Sequence, residues 1–281
     1  MGTTRGGSDD VRDPHASVVD TAGMSSRSSD GPAVDGRAPE DVTTGRSWRR
    51  WMPWLLLRAT HPRLGLLSAL GLAGAAALSG RPTREVGMVL ATVLVGQAIL
   101  GWHNDVVDRR RDATDGREDK PIGQGLLAPG DAIFAMACAA LLVVPLAVSH
   151  GLWSGLSYLA SLLIGLLGNV VLRNGWLSWV PWAAAYALYP AFLAYGGWAG
   201  EGPTTPPEIA VTGLAAMLGV CVHVLVSLPG LVRDNEHGVR HLPLRLGLRI
   251  GAARLLWLTI VLTALVLAGL LAAGSQVGLR Q

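Results

Sequence analysis

The stretch VGMVLATVLVGQAILGWHNDVVDRRRDATDGREDKP, Val86–Pro121, changes character at a single point. Its first eighteen residues, Val86–His103, include no Asp, Glu, Lys or Arg. An apolar run of about that length, wound as a helix, is what the ~30 Å hydrocarbon core of a bilayer requires. Asn104–Lys120 then holds five bases and six acids, a density that lipid does not admit. The stretch reads as a membrane-crossing helix that leaves the bilayer at Asn104.

Working outward, the same pattern recurs. Long apolar runs cover Leu55–Ser79, Val86–His103, Ala132–Ser149, Leu152–Leu172, Trp176–Trp198, Ile209–Leu228 and Ala252–Gly274, which predicts seven spans. Only 15% of the 281 residues are charged, against about 25% in soluble domains, and the charges fall between the runs, which excludes a soluble helical bundle. The fold class is therefore an all-α membrane protein, a multi-span helical bundle. Arg58, His61, Pro62 and Arg63 interrupt the first run, so its start is expected to lie along the membrane surface. Trp48, Trp51, Trp54, Trp102, Trp153, Trp176 and Trp198 sit near the proposed ends, where Trp anchors helices at the interface.

Residues 1–46 are rich in Gly, Ser, Asp, Arg and Pro without apolar periodicity, which predicts a disordered tail ahead of a transmembrane domain at 47–281. No apolar core followed by a small-residue cleavage site occurs in the tail, so no signal peptide is expected. Cys138 and Cys221 lie inside apolar runs and read as small buried side chains rather than a disulfide or metal pair. No basic helix with interleaved aromatics is present, and no nucleic-acid partner is expected.

Lys and Arg in short loops set orientation. One side carries Arg46, Arg49, Arg50, the five bases of Asn104–Lys120, Arg173, Arg233, Arg240, Arg245 and Arg249; the other carries Arg81, Arg84 and Arg280. The rule predicts a cell-membrane protein with a cytoplasmic N-terminus and, after seven spans, an external C-terminus.

A second charged segment, Pro229–Pro243, follows the sixth run. Four spans separate it from Asn104–Lys120, an even number, so both must lie on one side of the membrane. In the first segment Asn104, Asp108 and Asp112 are spaced i, i+4, i+8 and form one stripe if the helix continues past the apolar run. Like charges so arranged repel, and Mg²⁺ is the natural counterweight, because it takes hard oxygen ligands from one or two carboxylates and substrate phosphates. Arg117 and Lys120 are then placed to contact a diphosphate. A solvated connecting loop would satisfy the same composition, and the second segment on the same face favours the site. His103 and His223 lack the convergent spacing of a zinc site; His223, inside a span, is expected to face the bundle interior or a cavity.

At these residues the sequence resembles the UbiA superfamily of intramembrane prenyltransferases. Asn104, Asp105, Asp108, Asp112, Arg117, Lys120, Pro121 and Gly125 match that family's first Asp-rich signature, and Leu177–Trp182 is similar to its fifth-span sequence. The resemblance covers about Leu56 to Gly274. It implies a helical bundle around a cavity open to lipid, with Mg²⁺ and a prenyl diphosphate held at the cytoplasmic end and an acceptor attacking the ionised allylic carbon. It implies catalytic roles for Asp108, Asp112 and Asp234, metal ligation by Asn104, Asp108, Asp112 and Asp234, and substrate binding by Asn104, Asp105, Arg117, Lys120 and Arg240. Tyr186, Tyr189 and Phe192 are candidates for the cavity wall, where aromatic faces favour cations. A terpene cyclase of the same superfamily would share the ionisation step, and a catalytically impaired relative would keep the fold. Transport is disfavoured, because the acids cluster at one membrane face rather than along a path. Two features depart from the family. Gly230 stands four residues before Asp234, where an acid is usual, and seven spans are seen where the family usually has nine.

Overall fold

The computed structural model describes residues 51–197 and 206–278. The tail expected at 1–46, Trp48, Trp198, and the bases Arg46, Arg49, Arg50 and Arg280 used for orientation lie outside the described residues. Among these residues the elements are helical, with no strand: α1 Met52–Ala59, α2 Pro62–Leu78, α3 Thr83–Thr114, α4 Pro129–Val148, α5 Leu152–Gly168, α6 Val180–Ala187, α7 Tyr189–Ala194, α8 Ile209–Ser227, α9 Leu231–Glu236, α10 Leu242–Ile250 and α11 Ala252–Gly278. Single 3₁₀ turns, Trp176–Trp179 and Leu228–Gly230, precede α6 and α9.

Neighbours in sequence are neighbours in space. The helix α2 packs on α3, α3 on α4, α4 on α5, α5 on α6 and α7, α6 on α8, and α8 on α11, which also reaches α2. Four helical stretches are long and apolar enough to cross a membrane, Thr83–Thr114, Pro129–Val148, Ile209–Glu236 and Ala252–Gly274, and Pro62–Leu78 and Leu152–Gly168 are shorter apolar helices. Side chains such as Leu141, Leu78, Phe134 and Leu67 are largely exposed on this ring. Water would penalise such a surface and lipid would not. The chain is a multi-pass membrane protein.

Two of the seven expected spans are not single helices. The first breaks at His61, whose φ of 54° makes it the sole non-glycine residue in the left-handed region among the described residues. Pro62 then opens α2, its missing N–H falling where a helix leaves that group unpaired anyway. The turn before α2 is pressed onto α3 at Gly101, where a Cβ would lie 2.5 Å from the Thr60 carbonyl oxygen. The fifth run is divided into a 3₁₀ turn, α6 and α7, with Pro181 and Pro190 at the two helix starts.

The second run continues as one helix. Extending α3 to Thr114 gives 32 residues, about 48 Å at the usual rise, so its last turns project beyond a ~30 Å hydrocarbon core. Gly116, at φ 60°, ends the extension in the left-handed conformation that commonly stops helices. The chain then folds back: Ile122 and Leu127 bury with Leu55, Ala59 and Ala132, and Gly123 meets Asp112 so closely that a Cβ there would lie 2.8 Å from the Asp112 Cβ.

Candidate functional site

On the projecting end of α3, Asn104, Asp108 and Asp112 share a face, and the stripe is tied together at its start. Asn104 Nδ2 donates to Asp108 Oδ2 at 3.3 Å. Lys120 Nζ donates to Asn104 Oδ1 at 3.3 Å and to Asp105 Oδ1, and lies 2.7 Å from His61 Nε2. His61 Nε2 also lies 2.8 Å from Asp105 Oδ1, so ammonium, imidazole and carboxylate form one cluster. Lys120 and Asp105 are 4% and 1% exposed, so the pair is buried within the protein. It bolts the turn after α1 to α3.

The carboxylates of this helix are nevertheless under-supplied with donors. Asp105 Oδ2 and Asp112 Oδ2 are buried and accept no hydrogen bond. Asp108 Oδ1 lies against Arg173 Nη1 as an ion pair. Buried carboxylate oxygens without donors are costly and uncommon. With Arg173 already against Asp108 Oδ1, Asp105 Oδ2 and Asp112 Oδ2 are the oxygens left for a further cation to satisfy.

The second segment is organised differently. Asp234, on α9, receives Arg111 Nη2 on Oδ1 at 2.5 Å and His241 Nε2 on Oδ2 at 2.9 Å. The His241 tautomer follows from its other nitrogen: Nδ1 accepts the Leu244 backbone N–H at 3.1 Å, capping α10, so Nε2 carries the proton and donates it to Asp234. Deeper in, Ser178 Oγ accepts the Leu242 N–H at 3.0 Å and lies 3.1 Å from His223 Nε2, while the His223 ring stacks on Trp182 at 5.5 Å between centroids.

The two segments meet. Besides the Arg111–Asp234 bridge, His237 Nε2 lies 2.5 Å from Asp115 Oδ1. Between them opens a cavity of about 380 Å³ lined by Asn104, Asp108, Arg111, Arg117, Asn169, Arg173, Ser178, Trp182, His223, Arg233, Asp234 and His241, with Leu172, Val226 and Gly230 among the remaining wall residues. Four guanidinium groups face two carboxylates, so the wall favours an anion. Arg117, hydrogen-bonded to Asp119 through Nε at 2.8 Å and through Nη2, draws that carboxyl down to about 2.

The structure therefore brings together five of the residues expected from sequence: Asn104, Asp108, Arg117 and Asp234 in the cavity wall, and Asp112 buried one turn beyond. Asp105 and Lys120 form the buried pair behind Asn104. Arg240 is exposed and donates to Asn235 Oδ1 at 2.6 Å, outside the cavity lining. His223 faces the cavity, as expected. Tyr186, Tyr189 and Phe192 do not line it; Phe192 packs against Tyr158 at 5.0 Å and His150 at 5.1 Å, towards the opposite end of the bundle. Arg111, Arg173 and His241 were not singled out from sequence, and Ser178 and Trp182 entered only as part of the family-like stretch Leu177–Trp182. Arg111 and Arg173 entered only as loop charges, and nothing in their spacing says that they point inward. Among the described residues no three acidic, His or Cys side chains converge as a ready-made metal cage.

The profile of the UbiA prenyltransferase family matches residues 65–279. No curated protein sequence matches the chain. Among solved structures, a UbiA homolog from Archaeoglobus fulgidus bound to GPP and Mg²⁺ superimposes with a TM-score of 0.60 at 18% identity, covering 76% of each chain. The same homolog bound to DMAPP and Mg²⁺ gives 0.58 at 20% identity, over 76% of this chain and 75% of that one. At such identities the likeness establishes the fold.

Proposed function

Because the chain belongs to the UbiA prenyltransferase family, we propose that it transfers a prenyl group from a prenyl diphosphate to a small acceptor within the membrane, in a Mg²⁺-dependent reaction. The observation that carries this reading is the row of donor-poor carboxylate oxygens on α3 beside a cavity lined by four guanidinium groups. The A. fulgidus homolog, bound to GPP or DMAPP with Mg²⁺, supports the same ligand pair here. Asn104, Asp108 and Asp112 fit the cofactor, since Mg²⁺ uses one or two carboxylates and takes further oxygens from substrate phosphate. When bound, Mg²⁺ supplies positive charge beside the leaving diphosphate.

The chain's own residues do the rest. Arg111, Arg117, Arg173 and Arg233 line the cavity where the diphosphate sits and offset the charge that grows on it as the allylic carbon–oxygen bond lengthens. Arg does this with fixed paired donors that suit phosphate oxygens. Trp182, Leu172 and Val226 give an apolar wall that keeps water from the electron-poor carbon. The acceptor forms its bond to that carbon, and the bonding pair to oxygen leaves on the diphosphate. Lys120 and Asp105 hold Asn104 in place.

The distribution of Arg supports a cell-membrane location with this cavity on the cytoplasmic side and the N-terminus inside. In a background with Cys138 and Cys221 replaced by Ala, Thr114→Cys and Glu236→Cys are expected to resist a membrane-impermeant thiol reagent in intact cells and to react after permeabilisation. Labelling of either in intact cells would reverse the orientation.

The activity is tested by incubating the purified protein with Mg²⁺ and GPP or DMAPP, with and without aromatic acceptors, followed by mass analysis. Prenylated product or released pyrophosphate, abolished by a chelator, is expected. Diphosphates recovered intact from folded protein under every condition would overturn the reading.

A further inference from the structure

The two sides of the cavity are built for different partners. On α3, two buried carboxylate oxygens, Asp105 Oδ2 and Asp112 Oδ2, accept no hydrogen bond, while Asp108 takes Asn104 on Oδ2 and pairs through Oδ1 with Arg173 from the loop after α5. On α9, neither oxygen of Asp234 is in that state: Oδ1 takes Arg111 and Oδ2 takes the protonated nitrogen of His241. His241 is itself pinned by the Leu244 N–H, so it cannot offer Asp234 its other nitrogen without uncapping α10. Beside Asp234 stands Gly230, with φ −97° and ψ −6°, an ordinary right-handed conformation that any residue adopts. A Cβ built there would lie 3.3 Å from Asp234 Oδ2. The place where a second acid would join Asp234 is thus conformationally undemanding and empty of ligand atoms, but tight enough that the Asp234 carboxylate would have to shift to admit it.

Charge points the same way. The lining holds Arg111, Arg117, Arg173 and Arg233 against Asp108 and Asp234. A magnesium–diphosphate pair still carries net negative charge, which the surplus of guanidinium groups matches. A second dication would reverse that balance inside a partly enclosed site, where such mismatches are weakly screened.

Resting on the prenyltransferase reading, we infer that this site uses a single divalent cation held from α3 by Asp108 and Asp112, and that Asp234 is a positioning residue: with His241 it holds Arg111 across the cavity so that guanidinium groups, rather than a second metal ion, grip the other side of the diphosphate. Arg111 gives one Nη2 donor to Asp234, faces Asp115 through Nε at 4.0 Å, and keeps its remaining Nη donors for the anion.

The test uses the full-length purified protein, Mn²⁺ as a paramagnetic substitute for Mg²⁺, and inorganic pyrophosphate as probe. Bound Mn²⁺ is counted by electron paramagnetic resonance, and pyrophosphate affinity is measured separately in the presence of a chelator. The parent is expected to bind one Mn²⁺ per chain at saturating pyrophosphate. Asp112→Asn should lose it. Asp234→Asn should keep it, yet weaken metal-free pyrophosphate binding about tenfold, the scale of one charge-assisted hydrogen bond. Arg111→Gln should match Asp234→Asn, the double variant should be no worse than either single one, and Asp234→Glu should restore most of the affinity. A purely structural role for Asp234 would lower folded protein without this pattern. Two Mn²⁺ in the parent, one of them lost in Asp234→Asn, would overturn the inference and leave the proposed function standing. A folded parent that binds neither Mn²⁺ nor pyrophosphate would remove both.

Discussion

At the end of α3, Asp105 and Asp112 each keep a buried carboxylate oxygen that no protein donor reaches; on α9, adjacent in space, the carboxylate of Asp234 has a donor on each oxygen. The two segments have similar acid-and-Arg composition and face one another over one cavity, so composition does not distinguish them. What differs is where the donors sit. Lys120 reaches Asn104 and Asp105 but not Asp112, and Arg173 reaches Asp108 from the loop after α5. Asp234 meets Arg111 and His241 directly. An acid left without donors is held ready for a cation; an acid already saturated serves to orient the cations that hold it.

The sharpest way to break the α3 side is to remove its internal cation. Lys120→Met leaves Asp105 a buried carboxylate that has lost its ammonium partner, and is expected to destabilise the protein by about 3–5 kcal/mol, read as a fall in thermal midpoint or in yield of folded protein. The metal site itself is probed by Asp108→Ala and Asp112→Ala. Each is expected to weaken Mg²⁺-dependent pyrophosphate binding by about 100-fold or more, at least the cost of losing a metal's outer-shell partner, with little loss of stability because a like-charged stripe is relieved. If both variants bind like the parent, α3 is not the metal side.

The contrast is sharpened by making the second segment resemble the first. Gly230→Asp places a carboxylate next to Asp234 and is expected to add a second Mn²⁺ and tighten metal-dependent pyrophosphate binding by about tenfold, or ~1.4 kcal/mol. Unchanged stoichiometry in the folded variant would mean that Asp234 cannot be drawn away from Arg111 and His241. The smallest effect is expected at Asp119→Asn, within about 1 kcal/mol of the parent at pH 7, as for other solvent-exposed pairs. The Asp119 carboxyl is depressed to about 2 by its hydrogen bonds from Arg117, so any stabilisation is present above the unfolded carboxylate value and is lost as pH falls through about 2. Parent and variant melting curves should therefore converge on acidification.

Much of this was legible in the sequence for identifiable reasons. The length of the apolar runs specified a membrane bundle, and the even number of intervening spans placed both charged segments at one end, where Arg111 and Asp234 now meet. The i, i+4, i+8 spacing of Asn104, Asp108 and Asp112 required only that α3 continue past His103, which it does to Thr114. The offset between Gly230 and Asp234 likewise put both on one side of the segment, with a Gly230 Cβ directed at the Asp234 carboxylate. What was not legible depended on contacts between distant residues. Lys120 reads as a diphosphate ligand from its motif, and only the fold shows its ammonium buried against Asp105, Asn104 and His61. The Arg173–Asp108 and Arg111–Asp234 pairs join elements whose register no local pattern encodes. The aromatic side chains of the fifth run were expected at the cavity, but Pro181 and Pro190 divide that run, and of its aromatics Trp182 lines the cavity while Phe192 is buried elsewhere.

The central claim is that the cation belongs to α3 and the guanidinium grip is organised from Asp234. Anomalous scattering from Mn²⁺ in crystals of the protein grown with pyrophosphate addresses it most directly. The account predicts one anomalous peak, within coordination distance of Asp108 and Asp112, with Asp234 still bonded to Arg111 and His241. A second peak coordinated by Asp234, with Arg111 displaced from it, would contradict it.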